Sequence, residues 1–324
     1  MKKVYDWKNH YTDIMTKTEE SDNGFTHFKM SDKTGTGKII HSDVFEGIQA
    51  VYNELNLENC RRTVPPLDDV IQINFCMAGR YECRISDRYF FYVSHGDLSV
   101  GTVGRPETHG SLPTRHFCGI SLYIETEKVK ELQPWLESET GIDLKAVLAL
   151  AVSRPRYFII RDNARFNELF SVMIKCQKEH CLPLLKIKTL ELLALLSRTE
   201  TAVLATEPVY ISPKHVLLAK KLQERITDDL AEHLTIGQLA EEFQAAPTTV
   251  KTAFRSVYGI SIGGYRKIYR LQEAQKLLRE SDLPISEVAA KVGYTNPGKF
   301  SSVFKETFSV TPGEYKKSAR LHFE

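Results

Sequence analysis

Six cysteines are spread over 324 residues, and no two of them form a Cys-x-x-Cys pair. Cys60, Cys76, Cys83, Cys118, Cys176 and Cys181 stand mostly in apolar surroundings, which reads as reduced, buried thiols rather than a disulfide framework or a redox motif. Cys176, His180 and Cys181 lie close in sequence but lack a fourth ligand at zinc spacing, so no metal site is expected. No run of about 18 apolar residues occurs, which excludes a membrane-spanning helix. The first residues are charged and polar without a signal-peptide pattern, so a cytoplasmic location is expected. A Gly-rich phosphate loop and a Gly-x-Ser-x-Gly elbow are also missing, and neither catalytic residues nor a cofactor is expected. Large charge of either sign is lacking as well. The net charge is +2, distributed as about +4 from Pro213 onward and about −2 before it.

What the chain does have is a repeat. Residues 235–265 and 284–315 follow one pattern, offset by about 50 positions. Ile236, Leu239, Ala240 and Phe243 find counterparts in Ile285, Val288, Ala289 and Val292. Val250, Phe254 and Tyr265 match Phe300, Phe304 and Tyr315. In the first copy Thr235 and Gln238 make a capping box that opens a helix, and apolar residues then recur at helical spacing. Gln244, Ala245 and Ala246 form the turn, Pro247 fits the first position of a second helix, and Gly259 stops it. The second copy has a turn one residue longer, with Gly293 in a left-handed backbone, Thr295 or Asn296 as cap and Pro297 in the first turn. Leu271, Ala274 and Leu278 predict a continuous helix between the copies, spanning roughly 20–25 Å. Two helix–turn–helix units so joined can place recognition helices about one DNA turn, ~34 Å, apart.

These stretches resemble the DNA-binding domain of the AraC/XylS family of bacterial transcription regulators. The likeness runs from about Ser212 to Tyr315 through LTIGQLAEEF, YRLQEAQKLL, ISEVAAKVGY, FSSVFKETF and VTPGEY. It implies base-reading faces at Thr248, Lys251 and Thr252 in the first copy and at Gly298, Lys299, Ser301 and Ser302 in the second. Arg255 and Lys305 suit phosphates. The chain departs from the family pattern at Ala246, where a Ser cap is usual, at Gln244 and Ser309, where glycine is common, and at Pro284, in the cap position of the second copy. No Arg, Gln or Asn lies at the aligned base-reading positions, so shape readout gains weight.

The remaining sequence predicts a mixed α+β multidomain protein. The expected parts are a sensing and dimerisation domain over 1–200, a linker over 201–211 and an all-α DNA-binding domain over 212–324. Its helix–turn–helix units are expected at about 235–259 and 284–308. Residues 20–125 read as short strands. Ile71, Ile73, Phe75 and Met77 alternate with Gln72, Asn74 and Cys76, Ala78-Gly79-Arg80 reads as a turn, and Tyr81, Cys83 and Ile85 form the next strand. Strands at Tyr89–Val93 and Phe117–Ile124 follow. Many short strands suggest a sandwich or barrel, and the family resemblance implies a cupin-like barrel that binds a small-molecule effector. Asn74, Arg80, Glu82 and Arg84 then line its lumen as effector contacts, or else form an ordinary solvent face. Residues 127–199 turn helical, with an antiparallel pair over 164–179 and 183–197. Leucines there exceed one packed face, so Leu190 and Leu193 are read either as core or as a homodimer interface.

The expected function is an effector-responsive regulator of promoter DNA, an activator by family analogy through RNA polymerase, with a repressor or effector-independent regulator as the alternative. A cupin-type enzyme fused to a DNA-binding domain competes with it. It would need a His-x-His metal set, which His41, His95, His109 and His116 never form. A DNA-repair fusion would need an activated cysteine in Pro-Cys-His-Arg, and that tetrapeptide is absent. A third reading has the helix–turn–helix units bind protein.

Overall fold

Strand-forming runs dominate as far as Glu125, and helices follow. The computed structural model describes residues 15–20, 23–61, 67–86, 89–103, 109–152, 158–198 and 209–320. Ten strands come first: β1 Met15–Glu20, β2 Phe25–Asp32, β3 Gly35–Phe45, β4 Ile48–Asn56, β5 Asn59–Arg61, β6 Leu67–Ser86, β7 Tyr89–Ser94, β8 Leu98–Val103, β9 His109–Ser111 and β10 Phe117–Glu125. Short helices α1 Thr126–Val129, α2 Gln133–Thr140 and α3 Leu144–Val152 lead to β11 Phe158–Ile160 and to α4 Ala164–Lys178 and α5 Leu182–Leu196. The rest is helical: α6 Pro213–Asp228, α7 Ile236–Glu242, α8 Pro247–Tyr258, α9 Ile262–Glu280, α10 Ile285–Lys291, α11 Pro297–Phe308 and α12 Pro312–Arg320. The chain divides into two compact units, Met1–Pro213 and Lys214–Glu324.

In the first unit the strands pair antiparallel in the order β1-β2-β3-β4-β10-β6-β8-β11, with β5, β7 and β9 joined at β6 and β9. Both faces of the sheet are buried. Ile71, Ile73, Phe75, Ile120 and Leu122 pack beneath α4 and α5, with Phe75 stacked on Phe170 at 4.5 Å between ring centres. The opposite face gathers Phe28, Met30, Val51, Val70, Cys76, Phe91 and Tyr123. Each such side chain removed from water contributes about 1.5–3 kcal/mol, which is what holds the layers together.

The structure departs from the sequence expectations at three points. Ala78-Gly79-Arg80 is not a turn: β6 runs unbroken for 20 residues. Its first half pairs with β8 and β10, and its second half with β7 and β9. Gly79 makes the crossing possible, at φ +83°, where a Cβ would stand 2.0 Å from the His116 carbonyl oxygen. A strand also interrupts the helical stretch, since β11 pairs with β8. Finally, Leu193 is fully buried in the core under α5 and Leu190 packs against that core, so Leu193 has no surface left for a partner subunit. The apolar side chains that α5 does expose are Leu184 and Ile187.

Residues 201–208 of the expected linker lie outside the described residues. Tyr210 packs on the sheet core and the Ile211 N–H donates to the Phe90 carbonyl at 2.9 Å, so this end of the segment is docked on the first unit.

Candidate nucleic-acid interface

The first helix–turn–helix begins with the capping box. Thr235 Oγ1 accepts from the Gln238 N–H at 3.2 Å, and Gln238 Oε1 accepts from the Thr235 N–H at 2.9 Å. Two of the donors that every helix start leaves open are thereby satisfied. After α7 the chain reverses through Gln244, whose φ of +50° is the left-handed region. Pro247 opens α8, whose N-cap Ala246 offers no side-chain acceptor. Val250, Ala253, Phe254, Val257 and Tyr258 are buried, which turns Thr248, Lys251, Thr252 and Arg255 to solvent on the other side. Gly259 ends the helix at φ +77°.

The second helix–turn–helix repeats the design with different chemistry at its ends. Pro284 stands at the N-cap of α10 and supplies no side-chain bond. Gly293, at φ +80°, makes the turn. Asn296 caps α11, its Oδ1 accepting from the Gly298 N–H at 2.8 Å and the Lys299 N–H at 3.0 Å. Phe300 and Phe304 are fully buried. Gly298, Lys299, Ser302 and Lys305 are exposed, and Ser301 is half-buried. Ser301 Oγ donates to the Pro297 carbonyl at 2.9 Å and Ser302 Oγ to the Gly298 carbonyl at 3.1 Å. With their protons turned to the helix, these hydroxyls offer lone pairs outward, which suits base-edge amino groups. Ser309 closes the helix at φ +63°. Gln244 and Ser309 thus hold the left-handed backbone that glycine adopts at least cost, a strain of roughly 1–2 kcal/mol each.

The linker helix α9 carries two residues that the apolar pattern does not single out. Arg266 is buried, and both it and Arg270 donate to backbone carbonyls of the segment before α7. Their four-residue spacing beside Leu271 places them on the helix flank that faces that segment. A polar pair at i and i+4 next to an apolar stripe is the only sequence signal for this.

In the first unit the proposed effector residues fall into two groups. Asn74 Oδ1 accepts from Ser121 Oγ at 2.7 Å and Gln72 Nε2 at 3.0 Å, and Gln72 also donates to the Tyr123 hydroxyl at 3.1 Å. Arg80 and Glu82 meet at Tyr92: its hydroxyl donates to Glu82 at 2.5 Å and its ring lies 4.8 Å from the Arg80 guanidinium. Glu82 also accepts from Ser111 Oγ at 3.1 Å. Burial draws the Arg80 pKa below its ordinary value. Gln72 and Glu82 are 0% and 3% exposed, so the polar side of this sheet is interior rather than a solvent face. The side chain of Arg84 lies outside the described residues.

Residues 239–318 match the family model described as a helix–turn–helix domain. The chain is 33% identical over 92 residues to the arabinose operon regulatory protein of Salmonella typhimurium, covering 28% of this chain and 33% of that protein. It is 29% identical over 97 residues to the transcriptional activator RhaR of Mannheimia succiniciproducens, covering 30% of this chain and 35% of that one. A longer alignment joins it to the bifunctional transcriptional activator/DNA repair enzyme AdaA of Bacillus subtilis, 24% identical over half of this chain and 82% of the relative. The chain therefore spans only about a third of the first two relatives. The second unit of this chain carries an AraC-type helix–turn–helix domain.

Proposed function

We propose that the chain is a transcription regulator that reads promoter DNA with α8 and α11. The observation that carries this reading is the repeated amphipathic design. Each recognition helix spends its apolar stripe on the core and leaves Lys251 or Lys299, with flanking hydroxyl residues, on an exposed face. Lys251 and Lys299 meet guanine O6 and N7, the serines and threonines meet base edges or thymine methyls, and Arg255 and Lys305 hold phosphates. The first unit is a cupin-like domain that senses a small molecule with the interior polar groups around Asn74, Arg80 and Glu82. The regulator acts as a homodimer and activates through RNA polymerase. Any coupling requires the effector to bind the two DNA-binding states with different affinity.

The name of the AdaA relative raises a cysteine-based repair activity as a second reading. Burial pushes the Cys76, Cys118 and Cys176 thiols upward, the opposite of the lowered pKa that an activated nucleophile needs. These three thiols are therefore not activated as nucleophiles, and the reading as a DNA-binding regulator is preferred.

The test is a titration of the full-length chain against duplexes it enriches from a randomised library, over a series of salt concentrations. Affinity is expected to fall steeply with salt as phosphate contacts release counterions. Lys251→Ala and Lys299→Ala are each expected to weaken binding by roughly 1–3 kcal/mol and to relax base preference. Binding indifferent to salt and to both lysines would overturn the reading.

A further inference from the structure

The segment between α6 and α7 precedes the first helix–turn–helix, yet the Leu230 side chain packs on the core of the second. Its carbonyl accepts from two linker-helix arginines, Arg270 through Nη2 and Arg266 through Nη2 at 3.5 Å. Arg266 donates as well to the carbonyl of Glu232. From the opposite side Gly293 closes on the same carbonyl: an added Cβ would stand 2.1 Å from the Leu230 oxygen and 2.8 Å from Arg270 Nη2. The Arg270 guanidinium lies 6.0 Å from the ring centre of Tyr294, and that ring meets Phe300 of α11 at 5.4 Å. On the other flank, Arg225 of α6 pairs with Glu232 at 2.6 Å and with Glu242 of α7 at 3.0 Å. A continuous line of contacts thus runs from α7, through residues 230–232 and the linker arginines, to the turn that aims α11.

We propose that Arg266, Arg270 and the Leu230 carbonyl form a clamp that fixes α8 relative to α11, so that the two recognition helices meet DNA as a rigid pair and accept only one spacing between their half-sites. The proposal rests on the DNA-binding reading above. Arg266 and Arg270 are positioning residues in it, and neither touches the duplex. The physical reason is preorganisation. Charge-assisted hydrogen bonds to a shared carbonyl are strong, and here they join two subdomains that a single helix otherwise connects. A pair already held at the right angle pays no ordering cost on binding, and the second half-site is met at high effective concentration. One inserted base pair rotates the second half-site by about 35°. A rigid pair cannot follow that rotation, whereas a loosened pair can.

The experiment uses the full-length chain and three variants, Arg270→Met, Gly293→Ala and Arg225→Gln. Each is titrated against duplexes enriched by the wild-type chain, against the same duplexes with one half scrambled, and against versions with one base pair inserted between the halves. Arg270→Met is expected to bind the half-scrambled duplexes within about twofold of wild type, to lose about tenfold on the intact ones, and to show a smaller penalty for the insertion. Gly293→Ala, acting on the same carbonyl from the other side, gives the same pattern. Arg225 is partly exposed, so Arg225→Gln leaves the core intact and decides the matter if the other two do not fold. In that case a reduced insertion penalty supports the clamp, and an unchanged one overturns it. Equal losses on intact and half-scrambled duplexes, with the insertion penalty of wild type, overturn it too. A wild-type chain that binds no duplex in a salt-dependent way sinks the DNA-binding reading itself, and the clamp with it.

Discussion

Replacing Asn296 with alanine isolates one cap at the start of one recognition helix. Asn296 sits at φ −119° and ψ 110°, outside the helix, and its Oδ1 accepts from the N–H groups of Gly298 and Lys299. A helix start normally leaves four such donors open; Pro297 has no N–H, so three remain here and this one side chain satisfies two of them. Alanine satisfies none. Loss of a cap of this kind costs about 0.5–2 kcal/mol, and the exposure of Gly298 and Lys299 lets water take part of the role, which favours a value near 1 kcal/mol. In a unit of about 100 residues that lowers the melting temperature by roughly 4–8 °C. The molecule contains its own control. The N-cap of α8 is Ala246, with no side-chain bond, so Ala246→Ser is expected to move stability the other way by a similar or smaller amount. The readouts separate the two units. Both tryptophans, Trp7 and Trp135, belong to residues 1–213, while residues 214–324 are helical wherever their secondary structure is regular. Circular dichroism should therefore show the Asn296→Ala transition shifting down while the tryptophan transition stays in place. An unmoved dichroism transition, or an Ala246→Ser variant no more stable than wild type, would refute the capping argument.

The remaining predictions concern the first unit. Leu193→Ala should cost about 2–5 kcal/mol in urea unfolding, as expected for a buried leucine, rather than change oligomeric state in a folded protein. Sedimentation of a stable, folded monomer would contradict this. Gly79→Ala should cost more than about 2 kcal/mol, because it adds left-handed strain to a clash with a backbone carbonyl. A neutral result would mean that β6 bends elsewhere. Burial holds the His116 imidazole below its ordinary pKa, against a smaller opposite effect of Glu54, and its Nδ1 lies 2.9 Å from Asn56 Oδ1. The unfolded chain then takes up a proton first. The stabilisation is complete above about pH 6.5 and is lost as pH falls through the lower folded value. His116→Gln should flatten the decline of tryptophan-monitored stability as pH falls below about 6.5, and an identical decline in the variant would remove His116 as its cause.

How far the sequence alone reaches can be read from particular residues. The Thr235 and Gln238 capping box, Pro247 and Pro297 in their first turns, Gly259 as a stop and the extra residue in the second turn all reappear in the structure. Every one of these signals works within a few residues of itself. Between Thr295 and Asn296 the sequence leaves the cap open, and the structure selects Asn296. Gly79 reads as a turn in the sequence because a glycine after a run of strand residues signals a turn and a close backbone approach equally well. Only the carbonyl of His116, 37 positions away, distinguishes them. Gln72 and Glu82 alternate with apolar residues as solvent-facing residues would, and period two says nothing about what covers the second face. Leu193 looks surplus on its own helix because the sheet it packs against is far away in sequence.

By itself the sequence determined the paired helices, their ends and the exposed polar faces of α8 and α11, since local hydrogen bonds and helical periodicity suffice for those. Tertiary structure alone decided the rest. It bent β6 around Gly79, enclosed the polar groups of the sheet, consumed Leu193 in the core and drew Arg266 and Arg270 onto the Leu230 carbonyl. Each of these outcomes depends on which distant backbone or side chain arrives at a given point, and that is set by the packing of whole layers rather than by any neighbourhood of a few residues.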